Sequence, residues 1–160
     1  MNERDRIGKR GETVFAYLIG RRCDGRYWFD PAFLDGKSET KDFLVSLIDP
    51  ECGEATLSVQ VKSTTQGYSG KGVKRKLKVQ VSKADVAKLK TLKSPTFVAG
   101  IDVEAEVGFL LAITEITPNK TITGIPCLNP IDCKLIVKLW KEVEQYWKKR
   151  NMRAKRSFCS

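Results

Sequence analysis

Gln60 and Lys62 stand two residues apart in the run Thr56-Leu57-Ser58-Val59-Gln60-Val61-Lys62, where apolar and polar residues alternate. Alternation with period two predicts a β-strand, and residues i and i+2 of a strand leave the same face. An amide oxygen and an ammonium are thereby held side by side. Asp42 opens an earlier apolar run, Phe43-Leu44-Val45-Ser46-Leu47-Ile48. An Asp at the start of one strand and Gln-x-Lys at the end of the next supply groups that hold a divalent cation and a water. Phosphodiester hydrolysis needs that set: a cation against the charge growing on phosphate, a positioned water and a stabilised leaving oxygen. A carboxylate and a neighbouring oxygen hold Mg²⁺ while waters fill its octahedron. A lysine on the same strand face orients the nucleophilic water. Glu12, one helix earlier, is placed to reach the metal through a water. The expected metal ligands are therefore Asp42, Gln60 and Glu12, and Lys62 completes the expected catalytic set.

Other chemistries drop out. The chain contains no histidine, which excludes Ser-His-Asp and Cys-His catalysis and imidazole-ligated metals. What remains is carboxylate, lysine, tyrosine or serine chemistry, or a hard cation bound by oxygen, so Mg²⁺ or Mn²⁺ is favoured over zinc. The cysteines, Cys23, Cys52, Cys127, Cys133 and Cys159, are odd in number and include no CxxC pair. They read as reduced thiols, with neither a disulfide framework nor a zinc site. Gly67-Tyr68-Ser69-Gly70-Lys71-Gly72 lacks the spacing of a phosphate-binding P-loop and a helix after it.

Charge points to the partner. The net charge is +10. Between Lys71 and Lys93 nine basic residues face one acid, Asp85, and between Lys138 and Arg156 eight face two, Glu142 and Glu144. Clustered positive charge favours a polyanion, nucleic acid above all. Lys71, Lys74, Lys76 and Lys78 are the expected phosphate contacts. Lysines on an edge strand also block unwanted pairing, which is the structural alternative. The charged N-terminus reads as no secretory signal, no apolar stretch approaches the length of a membrane span, and a cytoplasmic location is expected.

These residues need elements to hold them. Val14, Phe15, Leu18 and Ile19 recur at helical spacing, predicting a helix over 8–23 with Glu12 at the margin of its apolar face. A short strand is expected from residue 27 to 29, a loop over 30–41, strands near 42–49 and 55–63 joined as a hairpin, and a glycine-rich loop over 64–72. A basic-faced strand is expected over 73–81, then a helix capped by Ser82 with Asp85 three residues on. Residues 96–101 and 108–113 are continuous apolar runs, suited to strands covered on both faces. A loop over 117–130 leads to a helix over 131–150 and a frayed basic tail, 151–160. Trp28, Trp140 and Trp147 are read as core residues. The order predicts one mixed α/β domain over 1–160, a central sheet flanked by helices, with its core over about 8–115.

With Gly11-Glu12 in the first helix, Lys41-Asp42-Phe43-Leu44-Val45, Val59-Gln60-Val61-Lys62-Ser63, and Pro95-Thr96-Phe97-Val98 followed by Gly108-Phe109-Leu110, the chain resembles the PD-(D/E)xK nuclease superfamily, specifically a bacterial branch of uncharacterised domains. The resemblance covers roughly residues 8 to 115. It implies a restriction-endonuclease-like fold, a Mg²⁺- or Mn²⁺-dependent DNA nuclease with Asp42, Gln60 and Lys62 as its triad and Glu12 as the first-helix acid, a homodimer, and a setting in defence or mobile-element systems. Two positions depart from the pattern. Lys41 stands where proline is usual. Gln60 stands where Asp or Glu is usual, as also in Mrr-type nucleases, and gives the metal a neutral oxygen instead of a charge. A non-catalytic nucleic-acid-binding module and a protein-interaction domain on the same fold are the competing expectations.

Overall fold

A computed structural model describes residues 1–36, 38 and 40–159, and side chains within that range as far as residue 152. Helix α1 (Glu3–Gly20) leads into a small hairpin, β1 (Arg22–Cys23) and β2 (Arg26–Tyr27). Strands β3 (Phe29–Phe33), β4 (Phe43–Leu47) and β5 (Thr56–Thr64) follow, then β6 (Tyr68–Ser69), β7 (Lys76–Leu77) and helix α2 (Lys83–Lys90). Strands β8 (Thr96–Asp102), β9 (Val107–Ala112) and β10 (Ile125–Pro126) precede the last helix, α3 (Cys133–Cys159).

The protein is α/β. Its central sheet has the order β3-β4-β5-β8-β9, with β5 and β8 parallel and every other pair antiparallel. Strands β6, β7 and β10 form a second small antiparallel sheet, and β1 pairs only with β2. Leu57, Val59, Ala99 and Ile101 face one side of the central sheet, against Phe15 and Leu18 of α1 and Ile136 and Leu139 of α3. Val98 and Phe109 face the other, against Leu77, Ile125 and the α2 residues Val86 and Leu89. Strand β8 is thus covered on both faces, as its unbroken apolar run predicts.

Two glycines set how closely the layers approach. A Cβ on Gly11 would lie 1.6 Å from Ser63 Oγ, so only glycine lets α1 press onto β5. A Cβ on Gly100 would lie 3.0 Å from Ile125 Cγ1 and 3.1 Å from Leu77 Cδ2, so the small sheet rests on β8 at that point.

Several boundaries differ from expectation. Helix α1 begins earlier because Asn2 Oδ1 accepts the Asp5 amide at 2.8 Å and caps it, and it ends at Gly20 because Arg21 turns extended. The expected loop over 30–41 instead opens with β3, Phe29–Phe33, and Pro31 is tolerated because β3 is an edge strand. Lys37 and Glu39 of that loop lie outside the described residues. The basic strand over 73–81 reduces to Lys76–Leu77 plus a bridge from Val81 to Ile122. Val73, 79% exposed, sits in a 3₁₀ turn, while Leu77, Val79 and Val81 keep the expected buried side. The frayed tail is helical: α3 continues through Cys159. The α2 cap is as expected, Ser82 Oγ accepting the Asp85 amide at 3.1 Å. So are the tryptophans, which lie in or against the core with every indole N–H donating to a backbone carbonyl.

The cysteines correct the sequence reading. Cys23 and Cys133 form a disulfide, Cα atoms 5.3 Å apart, tying the β1–β2 hairpin to the start of α3. Their separation of 110 residues hides the pairing from any spacing rule. Cys52 and Cys127 are free thiols. Disulfides persist in oxidising compartments, so the bond gives the expected cytoplasmic location no support. Among the described residues no helix is long and apolar enough to cross a membrane.

Candidate functional site

Pairing between β4 and β5 ends at Phe43↔Val59, yet β5 runs on to Thr64 along β8. Residues 60–64 of β5 therefore have no β4 partner, and a notch opens beside them. Asp42, one residue before β4, stands at its mouth. Its backbone is fixed on both sides: the Asp42 amide donates to Val59 O at 2.9 Å, and its carbonyl accepts from the Leu34 amide at 2.9 Å. Its side chain replaces the missing ladder, Oδ2 accepting the Val61 amide at 2.7 Å. In a strand the N–H and C=O of one residue face the same edge, so the Val61 carbonyl also faces the notch.

Gln60 is only 6% exposed. Its Nε2 donates to the Thr40 carbonyl at 3.0 Å, which fixes the amide orientation because a carbonyl only accepts. Its Oε1 is buried and has no hydrogen-bond partner. An orphaned buried acceptor is costly, and a bound water or a cation would relieve it. Lys62 leaves the same face of β5 and lies 3.6 Å from Asp85 Oδ2 on α2.

Glu12 follows the glycine that seats α1 on Ser63, so the close helix–strand approach brings it to the notch. It lines two clefts: one of about 740 Å³ with Lys62 and Ser63, and one of about 1070 Å³ with Asp42. Burial raises the Glu12 carboxyl above its usual value, and Asp42 and Asp35 push it further up while Lys9 opposes. Burial likewise raises Asp42; the Val61 N–H and Lys62 work against that rise, and Asp85 adds to it. Burial is the first cause of both shifts, and Lys9 and Lys62 only partly offset it.

No protein family, curated protein or solved structure matches the chain.

The residues singled out from sequence gather at the unpaired end of β5: Asp42 binds the Val61 amide, Lys62 leaves the Gln60 face, and Glu12 lines both the cleft that holds Lys62 and the cleft that holds Asp42, while Gln60 lines neither. Their donor set suits a hard cation: two carboxylates, the neutral Gln60 oxygen and a backbone carbonyl. Among the described residues no group of three or more acidic or thiol side chains could hold a metal ion. The basic residues divide. Lys78 lines the Lys62 cleft; Lys71, Lys74 and Lys76 are exposed but do not line it. Sequence reasoning took Asp85 only as part of a helix cap and did not single out Asp35. Nothing in their local spacing links them to Asp42, because packing of α2 and the turn after β3 brings them there.

Proposed function

We propose that the protein is a metal-dependent phosphodiester hydrolase acting on DNA, built on a restriction-endonuclease-like variant of its α/β fold. The observation that carries this reading is the buried, unpartnered Gln60 oxygen, with Asp42 bound to the neighbouring Val61 amide and Lys62 on the same strand face as Gln60. Mg²⁺ or Mn²⁺, when bound by Asp42 and Gln60 and through water by Glu12, supplies charge to the phosphate and acidifies a water. The protein's own groups do the rest. Asp42 is locked by its Val61 hydrogen bond and so presents its free oxygen without reorganising. Lys62 holds the attacking water, or a phosphate oxygen, in line. Water adds to phosphorus, and the P–O bond to the leaving alcohol breaks.

The test is cleavage of duplex, branched and single-stranded DNA with Mg²⁺ or Mn²⁺, by wild type, Asp42→Ala and Lys62→Ala. Metal-stimulated cleavage by wild type alone is expected. No cleavage of any substrate by wild type would overturn the reading.

One observation favours a second reading, a non-catalytic nucleic-acid-binding module. Gln60 gives the site a neutral oxygen where a third carboxylate would strengthen metal binding. In that case Lys62→Ala leaves nucleic-acid binding intact and no variant cleaves.

A further inference from the structure

The two clefts that meet at Glu12 differ in charge. The one floored by the end of β5 is lined by three basic side chains, Arg4, Lys62 and Lys78, against two acids, Glu3 and Glu12. The one on the other side of α1 is lined by Arg4 and Lys9 against four acids, Asp5, Glu12, Asp35 and Asp42. Asp85 partly offsets Lys62 in the first, but a phosphodiester strand is repelled from the second and so favours the first.

From this asymmetry we infer that a nucleic-acid strand reaches the notch along the β5 cleft, with Arg4 and Lys78 as its phosphate contacts on opposite walls. Arg4 projects from the first turn of α1, and Lys78 from the segment after β7; both are exposed. Lys62, half-buried, lines the same cleft, so a strand held by Arg4 and Lys78 passes its phosphates near the Lys62 amine. The small sheet is seated by Gly100, which the register places beside Lys62, and this fixes the Lys78 wall relative to the site. The acidic cleft is left as the approach for a cation. The inference deepens the hydrolase reading and rests on it for the role of the notch, but the strand path itself is read without catalysis.

The experiment measures binding of a single-stranded phosphorothioate oligonucleotide in EDTA, as salt is raised from about 50 to 200 mM, for wild type, Arg4→Ala, Lys78→Ala and Lys9→Ala. Each lost phosphate contact lowers the log–log salt slope by about 0.7 for a single strand. Arg4→Ala and Lys78→Ala should each show a fall in affinity about 2.6-fold smaller than wild type over that range. Lys9→Ala, whose side chain lines only the acidic cleft, should keep the wild-type slope. Unchanged slopes in Arg4→Ala and Lys78→Ala, an equal drop in Lys9→Ala, or no binding by wild type would each overturn the path. Cleavage by wild type with unchanged slopes sinks the path and leaves the hydrolase; reduced slopes without any cleavage leave the path and sink the hydrolase.

Discussion

Asp85 on α2 holds its carboxylate 3.6 Å from the Lys62 amine, with both side chains about one-third exposed. The pair ties the proposed catalytic lysine to a helix outside the resemblance-bearing motifs. It also places opposite charges within reach of Asp42, where Lys62 favours the ionised carboxylate and Asp85 opposes it.

The two charges should therefore move Asp42 in opposite directions. Lys62→Met removes a cation and raises the Asp42 pKa further; Asp85→Asn removes an anion and lowers it. Carbon-13 NMR titration of the Asp42 side-chain carboxyl in metal-free protein reads both shifts. A titration that stays put in both variants would show that these groups do not share one site.

Gly11 is predicted to be irreplaceable for packing. Alanine there meets Ser63 Oγ, so α1 must lift from β5, and overpacking of this kind costs roughly 1–3 kcal/mol. Gly8, with nothing within 4 Å of its Cβ position, is the control. Gly8→Ala should stabilise by about 0.5–1 kcal/mol through helix propensity. Adding Ser63→Gly to Gly11→Ala removes the clashing Oγ and Cβ and should recover part of the loss. Urea unfolding of the four proteins checks this, and a Gly11→Ala variant as stable as wild type would refute the contact.

The legible parts of this protein were those written in local periodicity. The alternation of 56–62 places Gln60 and Lys62 on one face, and helical spacing in 14–19 marks the buried side of α1. Ser82 announces its cap because capping needs only neighbours in sequence. What escaped depends on distance along the chain. The Cys23–Cys133 bond spans most of it, and Asp85 reaches Lys62 only because α2 packs over the same sheet face. The strand expected over 73–81 failed for a related reason. Its alternation from 76 onward is real, but residues 72–74 form a 3₁₀ turn, and beyond Leu77 only Val81 pairs, through its bridge to Ile122. Alternation reports which side is buried; pairing decides whether a strand forms.

The disulfide should carry a large share of the stability. Closing a loop of 110 residues removes unfolded-state entropy worth about 4–5 kcal/mol in the chain-entropy picture. Cys23→Ser with Cys133→Ser, or reduction of the native protein, is expected to lower the unfolding midpoint strongly. Alkylation under non-reducing conditions followed by peptide mapping, with Cys23 and Cys133 left unmodified, checks that the bond forms. If both of its cysteines alkylate in the native oxidised protein, the bond is absent.

Asp42 and Glu12 should make the metal-free protein less stable as pH rises. Both carboxyls are raised in the folded state from ordinary values of 3.8 and 4.5, so the native protein holds their protons more tightly than the unfolded chain does. That contribution is complete below the ordinary values and is lost as pH climbs through the raised ones. Asp42→Asn keeps an oxygen for the Val61 amide and deletes the charge. It should raise the midpoint of the metal-free protein at pH 7, since about 1 kcal/mol moves a domain of this size by roughly 2–4 °C, while abolishing cleavage. Millimolar Mn²⁺ should stabilise wild type by binding the folded state alone and do little for Asp42→Asn. Thermal melts of both proteins at pH 5 and pH 7, with and without Mn²⁺, read all of these effects. Equal Mn²⁺ responses in the two proteins would remove Asp42 from the cation's ligands, and an Asp42→Asn midpoint below wild type at pH 7 would mean that its charge is not a burden on the fold.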